Sequence, residues 1–558
     1  FAPTDEAPGV KIFHVPGWDY EKLCAVYQEA TDYCRENHAP VLVHVDELTQ
    51  PQGHSTSGSH ERYKDKDRLA WEAKYDCLRQ FKEYLLNGGH ASSEQLSGIE
   101  AQAKEINKNA RQEAYRRFRK SIREARQQLD QLYQDPIFAR TERTQAIRKA
   151  TSELLNPDFA ELVASARRMA FAQRGVEDPA VEQLQSLLNS WLGEGQQRYK
   201  SHLFSETDRA ALKVPVVPAV YTDGSPELNG YQIINKFFDQ ALGRHQGLYA
   251  FGEDVGQIGG VNQGFSGLQA KYGEHRVFDT GIREWTIIGQ AIGMAMRGLR
   301  PIAEIQYLDY LIYAMSPLSD DLATLRWRSA GQQMAPAIIR TRGHRLEGIW
   351  HSGSPMGLLL SSLRGIYICT PRNMTQAAGM YQTLLQSNDP GLVIECLNGY
   401  RLKERLPENL EQFTVPLGVP EVLHEGSDLT LLTYGSCVRI AQEAMELLAA
   451  DGISVELVDA QTLLPFDLEH RTVASLRKTN RLVVLDEDVP GGANAYLLRE
   501  VLEVQGGYQY LDSAPMTITA EAHRPAYGSD GDYFSKPNPE MVYEKVLAMM
   551  MEAEPERF

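Results

Sequence analysis

The sequence predicts an α/β protein built on parallel sheets with helices on both faces. Short apolar runs of strand character alternate with amphipathic helical stretches over residues 1–50, and again from 216 to the end. That alternation makes consecutive strands parallel, with helices as the crossovers between them. A third observation divides the chain: residues 92–215 carry helical periodicity and none of the residue types that chemistry needs in a recognisable pattern.

At 558 residues the chain should hold about three or four domains. The expected divisions are 1–91, 92–215, 216–410 and 411–558. Net charge is −17, from 57 basic and 74 acidic residues, which argues against nucleic acid as a partner. Six scattered cysteines without CxxC spacing point to free thiols in a reducing, cytoplasmic setting, not a disulfide frame or a zinc site. No apolar run approaches the roughly 18 residues of a membrane helix, and no signal peptide opens the chain. Residue 1 is Phe, so the chain is expected to begin inside a longer protein.

In chain order, Lys11–His14 is a strand candidate. Tyr20–Asn37 has helical spacing through Leu23, Val26, Tyr27, Ala30 and Tyr33, and Pro40–Leu48 reads as a buried strand. That strand runs into a polar loop, Thr49–Lys64, carrying His54, Ser55 and Ser57. Ligand sites of open α/β sheets lie at such strand ends. Residues 65–90 are helical. Ser92 with Gln95 makes a capping box for a long helix whose stripe runs Ile99, Ile106, Phe118, Ile122, Ala125 and Leu129 to Asp135–Pro136. Two or three further helices lead to a linker at Val214–Pro218. This whole segment is expected to connect two enzyme-like halves and to pack between them.

From 216, strands are expected at Gly247–Phe251, Arg276–Phe278, Pro301–Tyr307, Ala337–Arg340, Tyr367–Thr370 and Leu392–Glu395. Beyond 415 they are expected at Asp428–Tyr434, Val455–Asp459 and Leu482–Glu487. Helices are expected at Gly230–Ala241, Arg439–Ala450 and Gly491–Leu502. The centre of the arrangement is Asp279–Met296. Glu284 opens an apolar helix there, and Gly289 and Gly293 share one face suited to close backbone packing. A carboxylate in that position complements the helix dipole. In an apolar site its pKa rises, and it becomes a proton donor or acceptor near neutral pH.

His54, Glu284 and His351 (in the loop Gly348–Pro355) thus stand at strand ends or in loops of different segments. Two histidines and a shielded carboxylate suit proton transfer around a reactive intermediate, although each residue alone also fits a solvated loop or a helix start.

Several runs occur together in one order: FGEDVGQIGGV, the Glu284 stretch, AEIQYLDY, WHSGSP, ELVDAQTLLPFD and VVLDEDVPGGANA. As a set they closely resemble the β part of the thiamine diphosphate-dependent 2-oxo acid dehydrogenases. PVLVHVDELTQPQGHSTSGS is similar to the last third of the family's α part. The chain therefore looks like an α–β fusion, and the resemblance covers about four-fifths of it. It implies a thiamine diphosphate-binding fold with a transketolase-like C-terminal domain and a helical connector.

By the same resemblance, Glu284 hydrogen-bonds the cofactor's aminopyrimidine and favours the imino tautomer, whose nitrogen takes the thiazolium proton. Glu253, Gln306 and Tyr310 line the aminopyrimidine side, and Ile282 stands where the family has leucine. His54 is similar to the histidine that steers acyl transfer, and His351 to one that stabilises substrate or a dihydrolipoyl leaving group. Ser55 and Ser57 fall where mitochondrial relatives are phosphorylated.

The implied reaction is oxidative decarboxylation of a 2-oxo acid with acylation of a lipoyl group on an acyltransferase partner, carried out by a homodimer. The serine–threonine loop is most similar to the branched-chain type, which implies 3-methyl-2-oxobutanoate. Pyruvate is the second substrate reading. A transketolase-like enzyme is a rival reading, and so is a catalytically silent half that completes a partner's site. Two departures stand out. The family's GDG motif and downstream Asn, which hold the diphosphate and Mg²⁺, have no counterpart here and are expected upstream, so no metal ligand is assigned in this chain. The family's Tyr-Arg after the serine loop is Tyr63–Lys64, preceded by Arg62.

Overall fold

The computed structural model describes residues 2–4, 9–50, 59–343, 351 and 353–558. The expected functional residues His54, Ser55 and Ser57 lie outside these. The chain divides into two compact units, Phe1–Leu192 and Gly193–Phe558.

In the first unit, β1 (Lys11–Pro16) and β2 (Val41–Asp46) pair in parallel, with His14 opposite His44. The helix Tyr20–Asn37 links them. Asp19 caps it, its carboxylate accepting the Lys22 N–H at 3.1 Å. The strand expected to be buried is not: Phe13 and Val15 of β1 are buried, whereas Ile12, His14, Leu42 and His44 are exposed. A two-stranded ribbon covered on one face buries only alternate side chains.

The long helix runs Ser93–Leu132 behind the expected capping box, Gln95 N–H donating to Ser92 Oγ at 3.2 Å and Ser92 N–H to Gln95 Oε1 at 2.8 Å. Only the later part of its apolar stripe is covered. Ile122, Ala125 and Leu129 join Phe138, Leu162, Met169, Leu184 and Trp191 in one core. Ile99, Ile106 and Phe118 are exposed, because the three helices that follow (Glu142–Ser152, Phe159–Ala172 and Pro179–Lys200) pack on its C-terminal end.

The second unit holds the remaining strands: β3 (Glu227–Asn229), β4 (Leu248–Gly252), β5 (Val277–Asp279), β6 (Arg300–Glu304), β7 (Ile338–Gly343), β8 (Tyr367–Cys369), β9 (Gly391–Cys396), β10 (Lys403–Arg405), β11 (Glu421–His424), β12 (Leu429–Thr433), β13 (Val455–Asp459), β14 (Thr462–Leu464), β15 (Leu482–Leu485) and β16 (Met516–Ile518). One sheet has the order β14-β8-β9-β7-β6-β4-β5, parallel except for β14. A second has the order β11-β13-β12-β15-β16, parallel except for β11. β14 follows the second sheet's β13 in sequence yet pairs with β8, so one short antiparallel edge stitches the two sheets' sequences together. β6 stops at Glu304, shorter than expected, which frees Gln306 and Tyr307 from the ladder.

Strands β7 and β9 are buried along their whole length, as central parallel strands should be. Yet β7 carries Arg340 and Arg342, both fully buried. Arg340 makes a forked pair with Glu395 of β9, at 2.9 and 3.0 Å, and also bonds Glu304. Arg342 reaches Glu304 at 2.5 Å. Tyr381 donates to Glu395 at 2.7 Å, and Tyr400 also bonds that carboxylate.

Two arginines thus face two glutamates, and removing one partner strands a buried charge. Glu395→Gln should cost about 3–5 kcal/mol in denaturant unfolding of this unit, the range for a broken buried pair. A loss below about 1 kcal/mol, typical of surface pairs, would contradict that account.

Candidate active site

The order β6-β4-β5 brings three strand ends side by side, and the turns leaving them carry most of the expected residues. Glu253 and Asp254 follow β4. Asp279 closes β5, and the turn after it leads to Glu284, the first residue of the helix Glu284–Met296. Gln306, Tyr307 and Tyr310 follow β6.

The turns are tied to one another. The Asp279 carboxylate accepts the N–H of Gly256 at 2.6 Å and of Gln257 at 3.3 Å. A Cβ on Gly256 would lie 2.4 Å from Gln269 Nε2 and 2.9 Å from Asp279 Oδ2, so the clamp requires glycine there. Gln306 donates to Asp254 at 2.9 Å, and Arg342 holds the Gln306 carbonyl at 3.0 Å. The buried ion cluster therefore reaches into the base of the site. Asp254 takes φ 57°, a left-handed conformation that a non-glycine residue holds only when its surroundings fix it.

Glu284 is buried; Glu253 is partly so. Burial raises the Glu253 carboxyl above the usual range, and the charges of Glu284, Asp254 and Glu304 raise it further. The Tyr310 phenol is also raised, first by burial, then by Tyr307, Asp309, Glu253 and Glu284. These groups sense one another across one site. The Tyr310 hydroxyl lies 2.8 Å from His351 Nδ1. The His351 ring lies on Tyr307, with centroids 4.7 Å apart and planes at 27°. Beside Tyr310, buried Asp309 pairs with Arg524 at 2.7 and 3.2 Å. Asp309, Ile312, Gly353, Ser354, Glu487 and Arg524 are among the residues lining a cavity of 190 Å³. A larger cavity, 820 Å³, includes Tyr221, Arg372, Lys403 and Arg471 in its lining and shares none of the residues expected to act.

Five expected residues therefore converge: Glu253, Glu284, Gln306, Tyr310 and His351. The Ile282 side chain, two residues before Glu284, is 79% exposed. Gly289 and Gly293 have nothing within 4 Å of a built Cβ, so the expected close packing is not made by the described residues.

Family models match three stretches: Dehydrogenase E1 component over residues 2–122, Transketolase, pyrimidine binding domain over 227–401, and Transketolase, C-terminal domain over 418–534. The chain is 35% identical over 315 residues to the pyruvate dehydrogenase E1 component subunit beta of Acholeplasma laidlawii, spanning 94% of that relative and 56% of this chain. The chain belongs to the thiamine diphosphate-dependent 2-oxo acid dehydrogenases. The same subunit of Staphylococcus epidermidis is 37% identical over 276 residues, 84% of its length and 49% of this chain. A solved transketolase variant from Pichia stipitis aligns with TM-score 0.49 and 12% identity, covering 97% of this chain and 68% of that one.

This 2-oxo acid dehydrogenase carries α-type and β-type parts of the E1 component in one chain, as the sequence implies. The donor set fits the aminopyrimidine end of thiamine diphosphate. Two carboxylates can hold protons on ring and exocyclic nitrogens, and the buried Thr280 hydroxyl, in the turn after β5, has no partner among the described residues. Sequence reasoning missed Asp279, Arg342 and Arg524, which position the turns. Asp279 closes an apolar strand with an acid, a usable signal; the arginines' partners are distant in sequence, and nothing local marks them.

The raised Glu253 carboxyl has a consequence for stability. A carboxyl raised on folding holds its proton more tightly in the folded chain. Its contribution is present in acid and is lost as pH rises through the folded value. Glu253→Gln should therefore melt progressively higher relative to the parent as pH rises out of the ordinary carboxylate range towards neutral. A difference in thermal midpoint that is flat with pH would contradict the raised value.

Proposed function

We propose that the chain decarboxylates 3-methyl-2-oxobutanoate or a similar branched 2-oxo acid and passes the acyl group to a lipoyl group on an acyltransferase partner. The observation carrying this reading is the convergence of Glu253, Glu284, Tyr310 and His351 at three adjacent parallel strand ends in a member of this enzyme family. When bound, thiamine diphosphate supplies the electron sink that lets the carboxylate carbon leave. Mg²⁺ is the cation proposed for its diphosphate, since a hard ion prefers phosphate oxygens.

Glu284 would accept a hydrogen bond from the aminopyrimidine ring nitrogen and so hold a proton there. Glu253 and Gln306 would flank the same ring. Ile282 is proposed to cover the cofactor where the family has leucine. Tyr310, donating to His351 Nδ1, would fix the tautomer in which Nε2 carries the proton, ready for a substrate oxygen or a thiolate. His54 is proposed, from the similarity of its loop, to guide acyl transfer. The domain divisions 1–91, 92–215, 216–410 and 411–558 are kept as the proposed frame.

The six free cysteines and the exposed apolar face of the Glu284 helix support a cytoplasmic homodimer. No helix among the described residues is long and apolar enough to cross a membrane. The serine–threonine loop favours a branched substrate. Pyruvate is the second reading, because the relatives above are pyruvate dehydrogenase subunits by name.

Dye-coupled turnover with thiamine diphosphate and Mg²⁺ tests both, on 3-methyl-2-oxobutanoate, pyruvate and 2-oxoglutarate. The branched acid should react fastest; a preference for pyruvate selects the second reading, and silence on all three that persists when the expected upstream sequence is supplied overturns both. Glu284→Gln should slow proton–deuterium exchange at the cofactor's reactive carbon by about 10²–10⁴-fold, the usual worth of such proton transfer. Exchange at the parent rate would remove Glu284 from that role. His54→Ala should keep decarboxylation while losing acylation of lipoyl; equal loss of both would refute the separation.

A further inference from the structure

The exposed face of the β1–β2 ribbon has a cluster that the decarboxylase reading does not use. His14 and His44 occupy the same register position on the two parallel strands. Asp46 lies two residues beyond His44, and side chains two apart on a strand share a face. The three residues therefore project together, opposite the buried Phe13 and Val15. The two Nδ1 atoms are 3.1 Å apart, and the rings meet edge-on with centroids 4.9 Å apart. Ligand atoms of His14, His44 and Asp46 all lie within 4.8 Å of one another.

The spacing suits a shared ion. Two nitrogens each about 2.1 Å from one cation and about 95° apart would lie about 3.1 Å from each other. Two imidazoles and one carboxylate are the donors of borderline divalent metals; Mg²⁺ and Ca²⁺ prefer all-oxygen sets. Backbone pairing fixes the first two ligands, because the register that sets β1 against β2 also sets His14 against His44. The strand period then fixes the third. Little reorganisation is needed to complete the set.

We propose that His14, His44 and Asp46 bind one divalent transition-metal ion of the zinc class, leaving its other coordination positions open to solvent. The ion cross-links β1 to β2, the pair on which this part of the first unit is built. An ion that binds the folded chain better than the unfolded one adds stability that grows with the logarithm of the free metal once the site is filled. Binding weakens in acid, because an imidazole must be neutral to ligate.

The test uses the full chain, stripped with chelator and titrated with Zn²⁺ near neutral pH. One ion per chain is expected, with a rise in the thermal midpoint. His14→Gln and His44→Gln should each abolish that stoichiometric binding, and Asp46→Asn should weaken it about tenfold or more. The chain has 14 histidines, so the variants decide which of them bind. Should a variant fold poorly, Cu²⁺ bound to the parent chain answers the same question, since its electron paramagnetic resonance spectrum should show two imidazole nitrogens. Zn²⁺ binding that survives both histidine substitutions, absence of stoichiometric binding, or a Cu²⁺ spectrum without paired nitrogens would overturn the site. The cluster would then be an imidazole–imidazole hydrogen bond beside a carboxylate.

Discussion

The ion cluster of Arg340, Arg342, Glu304 and Glu395 is the constraint on which the second unit depends. It joins β6, β7 and β9 through side chains with almost no access to water. Charges so placed are costly unless each is paired and its remaining hydrogen-bonding capacity is used. Tyr381 and Tyr400 use the remaining capacity of Glu395, and Arg342 spends one donor on the Gln306 carbonyl. A single relative position of the three strands satisfies all of these contacts. The strand ends at the site inherit that position, because the turn after β6 is held by the same arginine that completes the cluster.

Above that base, the chemistry of the site is set by crowding of like charge. Glu253 and Glu284 come from turns after adjacent strands, and Asp254 and Glu304 lie close enough to act on Glu253 as well. Burial together with these like charges raises the Glu253 carboxyl, so that it holds its proton to higher pH than a free carboxyl does. The Tyr310 phenol, raised first by its burial, stands 2.8 Å from His351 Nδ1. Acid, base and orienting groups are therefore distinguished by their surroundings, not by residue type.

Local order was legible wherever the signal was local. The helix Tyr20–Asn37 appears at its expected bounds because Asp19 caps it and its apolar spacing is regular. The Ser92–Gln95 box sets the start of the 40-residue helix in the same way. Covering was less legible than periodicity: β2 reads as buried but lies half open, and Ile99, Ile106 and Phe118 continue a stripe that no described neighbour meets. Periodicity says which residues share a face, but not what covers it. The site residues were individually weak in sequence. They became a site only through the ordered set of runs and, in the fold, through three neighbouring strand ends. Arg342, Arg524 and the His14–His44–Asp46 face depend on partners that only the register supplies.

The Glu284 helix is covered on one side only. One face, with Ile287, Ile288, Ala291 and Ala295, is buried in the core and fixes where the carboxylate stands. The other presents Trp285, Gly289, Gly293 and Met296 to solvent, next to Ile282. Glycines four apart allow another backbone to approach closely, and large apolar side chains beside them form the kind of patch that proteins cover. In the proposed homodimer this face would be the covered one. Glu284 and the covering surface then ride on one rigid helix of 13 residues. Association would remove water from the Glu284 surroundings and strengthen every electrostatic contact there, so assembly and proton transfer would be set by the same element.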